Sequence, residues 1–182
     1  MLRNTPQRWG AVAQIFHWIS AALVLYLLGH GWWMTHFAAR DTRLSEYATH
    51  ASVGYFVLAL ILTRMVWRWT SAVPLHPASA PEWERRMALG SHLALYVLLI
   101  IEGYLGWMLS GTLREPLDRT LGGLVRVPQI MRPGNHNLHE VFQVAHEVAA
   151  WILAALVLLH VAATIYHWKV RRDDVLRRML PS

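Results

Sequence analysis

The chain has 182 residues, 55% of them hydrophobic and only 15% charged, with ten Trp, eleven His and no Cys. Soluble domains carry roughly 25% charged residues, so an ordinary globular enzyme is excluded, and the aromatic, apolar composition excludes disorder. Without Cys there are no disulfides, iron–sulfur clusters, thiolate zinc sites, cysteine nucleophiles or covalently attached haem, so any metal chemistry runs through imidazole.

A membrane-spanning helix needs about 20 mostly apolar residues at about 1.5 Å rise each. The first such run covers residues 11–34 and carries no formal charge. It follows Arg3 and Arg8, yet it is too long for the apolar region of a signal peptide and runs on through Trp32 and Trp33. It is therefore expected to stay in the mature protein. The second run, residues 47–69, is interrupted only by Arg64 and Arg68 near its far end. The third, residues 87–109, holds Glu102 in its interior, and the fourth covers residues 139–168, charge-free from Val148 onward. These runs predict an all-α fold, a transmembrane four-helix bundle forming one membrane domain over residues 1–182.

Four spans put both termini on one side. That side holds Arg3, Arg8, Arg64, Arg68, Arg85, Arg86, Lys169, Arg171, Arg172, Arg177 and Arg178, eleven of the seventeen Lys and Arg. The bias makes both termini cytoplasmic, and it explains the net charge of +6 by membrane topology rather than by nucleic-acid binding. Trp32, Trp33 and Trp107 at the outer ends and Trp67, Trp69 and Trp168 at the inner ends suit interfacial anchors. Between the spans, residues 35–46 form a short outer turn. Residues 70–86, with Pro74, Pro77 and Pro81, form an inner linker. Residues 110–138, with Gly122, Gly123, Pro128, Pro133 and Gly134, form the longest outer loop. A loop of that length usually has a function or folds back.

The histidines fall into two layers. His17 lies in the first two turns of span 1 from the cytoplasmic side, and His50 lies at the outer end of span 2. On span 4, His146 is near the outer end and His160 follows 14 residues later. Fourteen residues come within about 40° of whole turns, so both face one way, about 21 Å apart along the axis. His146 is level with His50, and His160 with His17. Each pair can supply both axial positions of one haem iron, and thiolate-free chemistry suits a non-covalent b-type centre. Filled axial positions favour electron transfer over oxygen activation. Gly54, one turn after His50, lets a porphyrin face approach the backbone. Binding of another metal through imidazole and plain interhelical hydrogen bonding are the alternatives. Ionisable groups inside spans are nevertheless functional by default.

The segments QIFHWISAALVL, ATHASVGYFVLALILTRMVWRW, SHLALYVLLI and AHEVAAWILAALVLLHVAATIYHW, followed by LRRMLP, resemble the bacterial cytochrome b561 family over nearly the whole chain. The family is one of four-helix di-haem membrane cytochromes. The resemblance implies two haem b groups with bis-His ligation, His17 and His160 for the inner one and His50 and His146 for the outer one. It also implies a multi-pass protein of the bacterial inner membrane with ubiquinone as electron acceptor. Superoxide is an implied donor on the outer side, which would make the chain a superoxide:ubiquinone oxidoreductase. Partners are then membrane lipid, quinone and a redox partner protein, with no nucleic acid. Two other readings stand beside this one. The chain could be the cytochrome b subunit of a larger dehydrogenase or hydrogenase, or a haem-free, His-lined metal or proton transporter. The spans lack the internal Pro that often marks the broken helices of transporters.

Several residues keep two readings. Arg64, 14 residues after His50, is level with the inner pair, and its guanidinium either meets a haem propionate or snorkels to the interface. Arg68 is one turn farther in and suits headgroups. His92 recurs in the family pattern and is either a propionate or quinone contact or an interfacial polar residue. His167 and His139 lie seven residues from His160 and His146, on nearly the same face but too far outward to ligate. His30, His36, His76 and His136 read as interface or loop residues. Glu102 departs from the apolar residues expected there and reads either as a proton-handling or haem-tuning group or as a neutral packing acid. On the outer loops Arg40, Arg43, Arg114, Arg119, Arg126 and Arg132 are largely offset by Asp41, Glu46, Glu115 and Asp118.

Overall fold

The structure is a computed structural model that describes residues 1–75, 80–114, 117 and 119–180. His76 and Pro77 of the inner linker, Glu115 and Asp118 of the outer loop, and Pro181 of the C-terminal motif lie outside the described residues. Helix α1 is Ala11–His36, α2 is Arg43–Trp69, α3 is Glu82–Thr112 and α4 is His136–Tyr166. All four are long and apolar enough to cross a membrane. The helices exceed the apolar runs because polar turns extend them beyond the hydrocarbon. α3 opens behind Pro81 with Glu82 and Glu84 against its positive N-terminal dipole. Asn135 caps α4, its side chain accepting from Leu138 N at 3.1 Å. At the other end α4 widens into a π-turn, His167–Arg171, that stops at Arg172 in the left-handed region (φ 53°).

The longest outer loop folds back as a short hairpin. Strands β1 (Thr120–Leu121) and β2 (Val125–Arg126) pair antiparallel, with Thr120 opposite Arg126 and Leu121 opposite Val125. Gly122 and Gly123, at φ of +59° and +75°, are the central residues of a tight turn that Leu124 N closes by donating to Leu121 O at 3.1 Å. The hairpin is seated on α2, where Ser52 Oγ accepts from Gly122 N at 3.1 Å. Trp107 Nε1 and the Gln129 amide tie its return arm to α3 through Pro128 O and Gly111 O.

Sequential helices are neighbours, α1 on α2, α2 on α3 and α3 on α4. Gly103 lets α2 and α3 approach, since a Cβ there would come within 3.0 Å of Leu58. The buried core is a thin apolar layer of Val24, Val57, Ile61 and Leu153, with Leu23, Leu27, Val53, Leu99 and Val157 packed around it. Outward, large apolar side chains such as Leu25, Leu62, Leu93 and Leu158 stand exposed, as a lipid-facing surface requires. Both termini meet at one end of the bundle. Arg8 and Gln14 donate to Leu180 O at 2.7 and 3.1 Å, Trp18 Nε1 to Met179 O at 2.9 Å, and Asn4 to Ala72 O at 2.8 Å. Arg68 lies at this end over the Trp9 ring, 5.5 Å from its centroid.

Candidate redox centre

The helical period carries the histidines to their depths, and helix packing brings them together. At the hairpin end of the bundle, His50 of α2 and His146 of α4 have ring centroids 6.2 Å apart and planes at 88°. At the end holding the termini, His17 of α1 and His160 of α4 lie 6.3 Å apart at 63°. The apolar layer around Ile61 and Leu153 lies between them. Leu153 is midway between His146 and His160, and Val57 is midway between His50 and Arg64.

Each member of the outer pair rests on a glycine of the adjacent helix. A Cβ at Gly31 of α1 would fall 3.1 Å from His50 Cε1, and one at Gly106 of α3 would fall 3.0 Å from His146 Cε1. Gly54 behaves differently. It shares the interior face of α2 with His50, Val57 and Ile61, yet a Cβ there would meet nothing within 4 Å. The face is open just where one turn separates it from His50.

The structure adds residues to both layers. His30, which the sequence suggests as an interface or loop residue, belongs to helix α1. Its ring is stacked on His50 at 5.8 Å and 16°, and Tyr26 stacks on it at 5.1 Å. Its Nε2 donates to Glu46 Oε2 at 2.9 Å. Tyr26 and His30 are i,i+4 on α1, Glu46 and His50 are i,i+4 on α2, and helix packing turns the two stripes toward each other. Glu102 faces the bundle, as its position demanded, with Oε1 3.1 Å from His146 Nδ1.

In the inner layer, Arg64 Nη2 donates to His17 Nδ1 at 3.0 Å, and its guanidinium lies 5.4 Å from the Tyr96 ring centroid. His92 stands beside His160 at 5.5 Å, so three imidazoles gather there. The remaining described histidines stay out of both pairs. His139 shares a 2.9 Å hydrogen bond with Thr112 Oγ1, His167 Nδ1 binds Asp173 Oδ2 at 2.6 Å, and His136 pairs with Glu140 on the surface. Among the described residues, no three His, Asp or Glu side chains converge as a site for a bare metal ion.

A model of the prokaryotic cytochrome b561 family matches residues 8–182. The chain is similar to cytochrome b561 homolog 2 of Escherichia coli (strain K12), 29% identical over 178 residues, which cover 97% of this chain and 93% of that one. It is also similar to cytochrome b561 homolog 1 of the same organism, 25% identical over 169 residues, covering 91% and 92%.

The glycine cradles make a prediction. Gly106→Ala and Gly31→Ala should each displace an outer histidine and lower haem content, whereas Gly29→Ala, where a Cβ meets nothing within 4 Å, should leave it unchanged. Haem per polypeptide in the three purified variants checks this.

Proposed function

This chain belongs to the prokaryotic cytochrome b561 family, and we propose from that premise that it carries electrons across the bacterial membrane through two bis-His haem b sites. It is a multi-pass membrane electron-transfer protein of a haem b-binding family. In the proposed arrangement His50 and His146 hold the outer haem, and His17 and His160 the inner one. The carrying observation is the spacing of the rings. Two imidazoles on opposite sides of one metal, at about 2.0–2.1 Å per metal–nitrogen bond, have ring centres about 6 Å apart. The two pairs stand at 6.2 and 6.3 Å. The open interior face at Gly54 supports the same fit.

Haem held by these imidazoles would supply one-electron chemistry. The protein's share is to ligate, orient and keep water out. Val24, Val57, Ile61 and Leu153 form the dry layer between the sites. Arg64 has a defined task. An imidazole that ligates through Nε2 carries its proton on Nδ1, so His17 cannot ligate that way and still accept from Arg64. A haem propionate is the anionic partner the guanidinium then needs.

Both termini lie in the cytoplasm in this reading, on the strength of the eleven-to-six split of basic residues. Superoxide is the proposed donor at the outer face and ubiquinone the acceptor. Oxidation of two superoxide ions to dioxygen supplies the two electrons that, with two protons, convert quinone to quinol.

Ligand variants test the haem assignment. His50→Ala or His146→Ala should remove one haem and leave the other, and His17→Ala or His160→Ala should remove the complementary one. Loss of the same haem from His17→Ala and His50→Ala in folded protein contradicts the pairing. For the donor, stopped-flow mixing with superoxide should reduce the haems and feed added quinone. Absence of haem reduction removes superoxide as donor.

A further inference from the structure

Glu102 sits in the interior of α3, ten residues and about 15 Å beyond His92. A carboxyl group at that depth is costly and persists where it has a partner. Its Oε1 lies 3.1 Å from His146 Nδ1. Glu102 Oε2 and His146 Nδ1 are both buried, and neither makes an aligned hydrogen bond. The two groups are thus within reach of each other with capacity unspent. The χ2 torsion of His is broad, so a small ring rotation brings Nδ1–H onto the carboxylate. Gly106, one turn along α3 from Glu102, abuts the same ring at Cε1. α3 therefore offers an acceptor on the Nδ1 side and a close backbone beside it.

We infer that Glu102 is a positioning residue for His146: it accepts Nδ1–H, turns Nε2 to the metal, and holds the outer haem at a lower reduction potential than it would otherwise have. This rests on the proposed assignment of His50 and His146 to the outer haem. The physical basis is the carboxylate–histidine–metal relay, in which the acid orients the ring and raises its basicity. A stronger donor beside a negative charge favours the more positive, oxidised metal. Among the described residues, the carboxylate of Glu46 also reaches the outer layer, but it is bonded to His30, which only stacks on His50. His17 of the inner pair faces a cation, Arg64, instead. The effect is therefore local to one of the two sites, and it biases electrons inward.

The test is a redox titration, followed by haem absorbance, of the wild-type protein and of Glu102→Gln and Glu102→Leu. The outer haem is identified as the one lost from His146→Ala. Glu102→Leu should favour reduction of the outer haem by tenfold or more, about 59 mV for one electron, and leave the inner haem in place. Glu102→Gln should shift it less, because the amide oxygen still accepts. Loss of the outer haem alone from Glu102→Gln also supports the positioning role, since the side chain keeps its size. Two bound haems with the outer potential unmoved in both variants would overturn the inference and leave the di-haem reading intact. Equal shifts of both haems, or loss of both from Glu102→Gln, would overturn it too. Retention of both haems by His146→Ala would remove the ligand assignment on which the inference stands.

Discussion

Everything in this bundle depends on how polar rings are held inside hydrocarbon. The bilayer offers no water to satisfy an imidazole, so each buried histidine must find its partner in another helix. A 14-residue spacing returns nearly to the same face of an α-helix while moving about 21 Å along it. α4 can therefore present His146 and His160 to one interior at two depths. α2 repeats the interval with His50 and Arg64. The apolar layer lies between these depths, where Val24, Val57, Ile61 and Leu153 close the bundle.

The two layers are built from unlike surroundings. The outer one is acidic: Glu46 binds His30, and Glu102 lies against His146. The inner one is basic, with Arg64 on His17 and His92 beside His160. Small residues complete the outer layer, because Gly31 and Gly106 let helix backbones come up to the histidine rings. The hairpin, hydrogen-bonded to Ser52 two residues beyond His50, lies over the same end of α2. Secondary structure, close packing and charge thus converge on the outer pair from all four helices.

Much of this was legible in the sequence because two periodicities dominate it. A charge-poor run of about 20 residues identifies a span, and all four runs became helices. Their ends were less legible, since polar turns such as Arg43–Glu46 and Glu82–Arg86 continue the helix where hydropathy has already fallen. The depth pairing of His50 with His146 and of His17 with His160 follows from the rise per residue. Lateral neighbours do not. One sequence does not say that α3 packs on α4 closely enough to bring Glu102 to His146, or that α1 turns His30 toward α2. The hairpin was half-visible: Gly122 and Gly123 between Leu121 and Leu124 form a turn signature, but residues 110–138 as a whole read as a loop.

The central claim is that the two imidazole pairs are two haem sites on one chain. The most direct measurement is haem bound per polypeptide, determined on the purified protein together with its reduced-minus-oxidised visible spectrum. The account predicts two non-covalent b-type haems per chain, extractable with acid and solvent, with a low-spin spectrum in both oxidation states. One haem per fully loaded chain, or none, would contradict it.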